Sequence, residues 1–91
     1  MWVRVRIPST LRAQVSGAAE VSVDGNTVAQ ALRNLEARFP SLTPHLRQED
    51  GSLRPVVNLY VNDENVRFRQ GLDTPLRDGD ELYLVPLVMG G

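Results

Sequence analysis

Two adjacent glycines, Gly90 and Gly91, close the sequence, and the carboxylate they would carry is the group in this chain best suited to chemistry. Glycine averages about 7% of residues, so a Gly-Gly pair at two fixed positions arises by chance in roughly 0.5% of sequences. Residues without a Cβ make a thin, pliable strap. Such a strap, with Val88 and Met89 before it, could thread a narrow tunnel and hold a carboxylate deep inside another protein. The chain would then be a substrate rather than a catalyst. A frayed end is the other reading of the same pair, because chain termini are commonly loose. The residues upstream decide between the two.

Other groups capable of chemistry are few. Cysteine is absent, which removes disulfides, thiolate metal sites and thiol nucleophiles together and fits a reducing compartment. His45 is the single histidine. With no second histidine and no cysteine beside it, it reads as a surface residue, and no metal site is expected. Asp63/Glu64 and Asp78/Asp80 are carboxylate pairs that turn chemistry explains. There is no phosphate loop, no glycine-rich nucleotide motif and no serine in a nucleophile elbow, so the chain is expected to bind no cofactor itself.

A length of 91 residues means one small domain. A chain of this size buries about 60–65% of its unfolded surface, enough for one modest core and little room for a self-contained catalytic cleft. The formal charge of −1 argues against a nucleic-acid partner, since no basic excess is present to neutralise phosphates. All 10 cationic side chains are arginines. GC-rich codon usage explains that bias, and one corollary is that this chain cannot be extended into polymers through its own lysines. The first residues alternate charged with apolar types and contain no apolar h-region, and no stretch approaches membrane-span length. The expectation is a soluble, cytoplasmic protein without membrane association.

The elements that must position the glycines can be read from periodicity. Trp2 to Ile7 alternates, with Val3, Val5 and Ile7 on one face and Trp2, Arg4 and Arg6 on the other, the pattern of a half-buried strand. Pro8 ends it, and Ser16-Gly17 supplies turn chemistry before a second strand over Ala19–Val23. Two strands so close in sequence most simply form a hairpin. Asp24-Gly25-Asn26 breaks the second strand, and Thr27 opens a helix with Gln30 at capping-box spacing. Val28, Ala31, Leu32, Leu35 and Phe39 make one apolar core stripe, and Pro40 stops the helix. Pro40 to Pro55 reads as a polar connection with room for one helical turn after Thr43-Pro44 and an apex at Glu49–Ser52. Val56–Val61, short and rich in β-branched and aromatic residues, is the clearest strand. Asn62–Asn65 turns it back toward a short strand over Val66–Phe68. Asp78-Gly79-Asp80 makes another tight turn, and Glu81–Leu87 is the last strand. One helix can cover one face of such a sheet, an α+β layering. Residues 1–87 form the domain, and residues 88–91 its flexible tail.

Taken together, Val61-Asn62 ending the central strand, Asp78-Gly79-Asp80-Glu81 entering the last one and Pro86 shortly before Gly90-Gly91 resemble the ubiquitin-like sulfur carriers. That family includes the small subunit of molybdopterin synthase, the thiamine sulfur carrier and the carriers that feed cysteine biosynthesis. Ile7–Arg12 and Val57–Phe68 look most like the cysteine branch. The resemblance spans almost the whole domain and is weakest between Pro40 and Arg54. It implies a β-grasp (ubiquitin-like) fold, with a mixed sheet covered on one face by one main helix and its first and last strands side by side in the middle.

The resemblance also implies a protein co-substrate, not an enzyme. An E1-like activating enzyme would adenylate the Gly91 carboxylate with ATP, and a sulfur donor would displace AMP to leave a thiocarboxylate. In the cysteine branch, a pyridoxal-phosphate cysteine synthase activates O-phosphoserine as the acceptor for that sulfur. An acyl shift then leaves cysteine amide-linked to Gly91, and a zinc peptidase releases it. ATP and pyridoxal phosphate belong to those partners.

A docking surface should accompany the tail. If Val3, Val5, Ile7, Val57, Leu59, Val61, Leu82 and Leu84 face the helix, the opposite face carries Arg4, Arg6, Asn58, Tyr60, Tyr83, Val85 and Leu87. A sheet face turned to water is normally polar, whereas Tyr60, Tyr83, Val85 and Leu87 make an aromatic and apolar patch flanked by Arg4 and Arg6. Patches of this kind mark interfaces, although scattered exposed apolar residues are also normal. The molybdopterin branch typically carries a more apolar first strand here, so the arginines favour a different partner. Two other classes share the tail chemistry or the fold: a modifier joined through Gly91 to lysines of target proteins, and a β-grasp binding module whose Gly-Gly is incidental. A monomer forming transient complexes is the simplest expectation.

Overall fold

The computed structural model describes residues 1–86. Five strands form one sheet: β1 (Trp2–Arg6), β2 (Glu20–Asp24), β3 (Val57–Val61), β4 (Glu64–Asn65) and β5 (Glu81–Pro86), in the spatial order β2-β1-β5-β3-β4. Each contact between neighbours is antiparallel except the central one, where β1 and β5 run parallel. The fold is therefore β-grasp, with the first and last strands adjacent at its centre.

Alternation places Val3 and Val5 of β1, Val21 and Val23 of β2, Val57, Leu59 and Val61 of β3, and Leu82 and Leu84 of β5 on one buried face. Helix α1 (Val28–Arg38) covers that face with Val28, Ala31, Leu32 and Leu35, all fully buried. Its start is closed by the expected cap with one displacement. Thr27 Oγ1 accepts from the Gln30 N–H at 3.2 Å, but the Gln30 side chain accepts from Asn26 N–H, one residue upstream of the cap itself. The cap's own first amide, on Val28, donates to the Thr74 carbonyl at 3.0 Å, which fastens the long connection before β5 to the helix. Thr74 is fully buried with its hydroxyl donating to the Gly71 carbonyl at 2.7 Å, so the connection is internally satisfied.

Two expectations need correction. Val66–Phe68 is a 3₁₀ turn, not a strand, and the short strand is Glu64–Asn65, paired with Tyr60 and Val61. The Asn65 side chain accepts from Arg67 N–H at 2.9 Å, which caps the turn and pulls the chain off the sheet edge. The segment from Pro40 to Pro55 is also more than a polar connection. A 3₁₀ turn at Pro40–Leu42 leads into α2 (Thr43–Leu46), and Leu42 and Leu46 are both fully buried in the main core. Two leucines four apart among polar neighbours are too sparse a pattern to read from sequence. Arg47 locks this segment to α1 by a two-point ion pair with Glu36, at 3.0 and 2.9 Å. His45 of α2 is exposed, as expected.

Gly25 sits buried where β2 turns into α1, and a Cβ there would lie 2.7 Å from the Ala31 backbone nitrogen and 2.8 Å from its Cα. Helix and strand approach too closely for any side chain. Gly25→Ala should therefore cost about 1–3 kcal/mol by overpacking, and Leu32→Ala about 2–5 kcal/mol by opening a cavity. Urea unfolding monitored by circular dichroism measures both, and an unshifted midpoint for Gly25→Ala would show that the junction can relax.

Candidate functional site

Leu87, Val88, Met89, Gly90 and Gly91, which include the expected reactive carboxylate and the domain–tail boundary, lie outside the described residues. What the structure describes is the root they grow from, the last turn of sequence in β5. That root is aimed by a clamp at the opposite end of the strand. Asp78 Oδ1 accepts from Trp2 N–H at 2.9 Å, and the Trp2 carbonyl accepts from Gly79 N–H at 2.8 Å. Arg4 N–H donates to the Asp80 carbonyl at 3.0 Å, while Asp80 Oδ2 accepts from Arg77 N–H at 2.8 Å. Gly79 holds φ +87°, which only glycine adopts freely. The Asp78 carboxylate thus ties the turn to β1, while the Asp80 carboxylate braces the turn itself.

Asn62 ties β5 to β3 from the other side. It adopts the left-handed conformation at φ 56°, which asparagine tolerates. Its N–H donates to the Glu81 carbonyl at 2.8 Å, its Oδ1 accepts from Glu81 N–H at 3.2 Å, and its Nδ2 reaches Asp80 Oδ1 at 3.3 Å. Residues that are far apart in sequence, Val61-Asn62 and Asp78–Glu81, therefore meet at one point.

The alternation along β5 decides what flanks the root. Glu81 turns its backbone groups toward β3 and Asp80 toward β1, so by alternation the backbone groups of residues 82, 84 and 86 point toward β1. The parallel pairing stops at Arg6 opposite Tyr83. The next donor in that register would be the amide of residue 8, and Pro8 has none; Pro86 lacks the matching N–H on the same side. Proline is tolerated in β5 because its missing donor faces the side where β1 has already left. A cleft of about 180 Å³ opens there, lined by Arg6, Pro8, Arg12, Tyr83 and Leu84. Arg12 holds its rim by donating to the Ile7 carbonyl at 3.2 Å.

On the outer face, one row crosses all five strands: Glu20, Arg6, Tyr83, Tyr60 and Asn65, each the cross-strand partner of the next. Below it Arg4 stands opposite Glu81, and above it Val85 stands opposite Asn58, nearer the tail. The structure thus brings Arg4, Arg6, Tyr60, Tyr83 and Val85 onto one surface. Arg6 pairs with Glu20 at 3.1 Å and Arg4 with Glu81 at 3.3 Å. Exposed pairs are worth about 0–1 kcal/mol, so they set orientation more than stability. Glu81 also accepts the Tyr83 hydroxyl at 2.7 Å. That hydrogen bond, and then partial burial, holds the phenol above its ordinary pKa.

Asn58 departs from expectation: it lies on the outer face yet is only 8% exposed. Trp2 lies on the same face and is 61% exposed. It stands at the far end from the tail root, because β1 and β5 are parallel. Among the described residues no three potential metal-ligating side chains gather, and no helix is long and apolar enough to cross a membrane.

A family model described as the ThiS family matches residues 5–91. The chain belongs to the ThiS family. It is 41% identical over 93 residues to the sulfur carrier protein CysO of Mycobacterium tuberculosis, covering all of both chains. The ThiS-family fold agrees with solved structures. The chain superposes on a crystal structure of an Amycolatopsis orientalis BexX/CysO complex with TM-score 0.88 and 39% identity, covering 98% of this chain and 99% of that one. It also superposes on SAMP1 of Haloferax volcanii with TM-score 0.87 and 30% identity, covering 100% of each.

Tyr60→Phe leaves Tyr83 as the one tyrosine of this ThiS-family chain, since the sequence holds 2. Its phenolate should form above the ordinary value of about 10, and Glu81→Gln should move it back down. The folded state holds this proton more tightly than the unfolded chain. The stabilisation is therefore present below the unfolded-state pKa and lost as pH rises through the folded one. Phenolate absorbance followed against pH reads the shift, and an unchanged curve in Glu81→Gln would remove the hydrogen bond as its cause.

Proposed function

We propose that this protein is a sulfur carrier whose Gly91 carboxylate is adenylated, converted to a thiocarboxylate and used to donate sulfur, with cysteine biosynthesis from O-phosphoserine as its pathway. The observation that carries the reading is the end-to-end similarity to CysO of M. tuberculosis, named a sulfur carrier protein, at 41% identity. The family match that continues through Gly91 supports it further.

Each step asks something of this chain that its residues supply. Adenylation turns a carboxylate into a mixed anhydride with AMP and releases pyrophosphate. It requires a terminus slim enough to reach ATP held by an E1-like enzyme, and Gly90-Gly91 carry no side chain to obstruct it. A sulfur nucleophile then displaces AMP. With no cysteine in the chain, no internal thiol competes for the activated carbonyl. The thiocarboxylate sulfur next attacks the acceptor derived from O-phosphoserine on a pyridoxal-phosphate cysteine synthase. Transfer of the acyl group from sulfur to the amino nitrogen leaves cysteine in amide linkage, and hydrolysis by a zinc peptidase restores the Gly91 carboxylate. The chain itself binds neither ATP nor pyridoxal phosphate and acts as co-substrate.

The outer-face row would be the surface that these partners grip while residues 88–91 enter them as the tail. Tyr83 stands between Arg6 and Tyr60 across the strands, with Val85 two residues further along β5, and tyrosine and arginine are enriched at binding hot spots. That the CysO in the A. orientalis structure is in complex with BexX supports a docking role for chains of this shape.

The likeness to SAMP1, a small archaeal modifier protein, favours a second reading in which Gly91 is joined to lysines of target proteins. Both readings need the same activated carboxylate and differ in the acceptor.

Intact-mass spectrometry separates them. Incubation with an activating enzyme, ATP and sulfide should add the mass of a sulfur-for-oxygen exchange. Further incubation with O-phosphoserine and the synthase should bring the total gain over the unmodified chain to one cysteine residue, with neither gain in a chain lacking Gly91. A thiocarboxylate that forms but takes no cysteine would move the carrier to another sulfur acceptor. Covalent attachment to many cellular proteins would favour the modifier. Tyr83→Ala should leave the fold intact and weaken the complex with the activating enzyme about tenfold or more, measured by calorimetry.

A further inference from the structure

The outer face does not account for all of the exposed apolar surface. Phe68 is 84% exposed, more than any other large hydrophobic residue among those described, and it projects from a turn whose other residues serve the fold. Single exposed apolar residues are ordinary. This one follows Arg67, which lines a groove of about 200 Å³ on the flank of β3 away from β5. The groove's floor is Val57 and Val66, its walls are the half-buried Leu53 and Leu72, and Arg54 and Arg67 stand over it.

The groove exists because β4 is short. Its pairing covers only Tyr60 and Val61, so the first half of β3 has no strand on that side among the described residues. The 3₁₀ turn at Val66–Phe68 leaves the sheet just where a longer strand would have closed the gap.

Both arginines are held by one nitrogen and have others to offer. Arg54 Nε donates to the Pro44 carbonyl at 3.0 Å, and Arg67 Nη2 to the Pro55 carbonyl at 3.1 Å. Neither is ion-paired among the described residues, whereas Arg4, Arg6, Arg47 and Arg69 all are. Glu49 and Asp50 stand in a separate hollow beside Arg54, and Asp50 is occupied by Ser52. The groove thus sets two arginines without an ion-pair partner among the described residues over an apolar floor.

We propose that this groove is a second docking site, occupied by a short segment of a partner protein that carries apolar side chains flanked by carboxylates. Apolar side chains of the segment fill the space between Leu53 and Leu72 and cover Phe68, and its carboxylates meet Arg54 and Arg67. Val57 on the groove floor is the cross-strand partner of Pro86. A partner seated here grips the strand next to the tail root, from the flank opposite the cleft at Arg6 and Arg12. The site requires nothing of Gly91 and stands independently of the sulfur-carrier reading.

The test is a ¹⁵N–¹H correlation titration of the full chain with two eight-residue peptides. Both place leucine and phenylalanine at the same positions; one carries glutamate elsewhere and the other lysine. The glutamate peptide should move the amides of Leu53, Val66 and Leu72 saturably, and its affinity should fall as salt is added. The lysine peptide should bind at least about tenfold more weakly. Phe68→Ser, at a residue too exposed to serve the core, and Arg54→Ser should each weaken the glutamate peptide about tenfold while keeping the dispersed reference spectrum. Equal binding of both peptides, shifts centred on Tyr60 and Tyr83, or no saturable shift at millimolar peptide would each overturn the proposal.

Discussion

The structure depends on one long-range pairing: β1 lying parallel to β5 in the middle of the sheet. Parallel neighbours cannot be joined by a tight turn, and here almost the whole chain, residues 7–80, intervenes between them. Loop closure over that distance costs entropy that neither strand can repay alone. The Asp78-Gly79-Asp80 turn makes the pairing specific. It offers one carboxylate oxygen and one amide to Trp2, a residue 76 positions away, and a carbonyl to Arg4. A slip of one residue would break all of these bonds and turn Leu82 and Leu84 out of the core.

Because β5 is central, its exit is controlled on both sides. β3 accompanies it as far as Pro86, while β1 leaves after Arg6. The two prolines, Pro8 and Pro86, withdraw donors at the same level, so the sheet ends on one flank while the strand continues. A terminus emerging from a central strand inherits the stiffness of its neighbours up to its last paired residue. Whatever follows Pro86 therefore starts from a fixed place and direction, which suits the proposed role of the tail.

Single-sided coverage divides the labour of the sheet. One helix and the buried leucines of the following segment close the inner face, and the outer face keeps tyrosines, arginines and a valine in register across the strands. The ion pairs there cross between strands and not along them, which binds the face into one surface at little energetic cost.

Much of this was legible in the sequence. Period-two alternation in Trp2–Ile7 and the apolar run Glu81–Leu87 point to both central strands, and the Thr27 and Pro40 signals bracket the helix to within a residue. Local chemistry sufficed there, because burial of one face and satisfaction of end amides depend on neighbours a few residues away. Val66–Phe68 misled because a β-branched and an aromatic residue carry strand propensity, while the Asn65 side chain caps a turn instead. Leu42 and Leu46 escaped notice because two leucines do not make a period. Gly90-Gly91 and the absence of cysteine are properties of the sequence alone, and with them the kind of chemistry the end of the chain could undergo. Only the tertiary structure brought Asn62 to Asp80, set Tyr60 beside Tyr83, ion-paired Arg4 and Arg6 while leaving Arg54 and Arg67 unpaired among the described residues, and opened a groove where β4 stops short. Those outcomes turn on strand order and register, which depend on contacts between residues distant in the chain, and no local pattern encodes them.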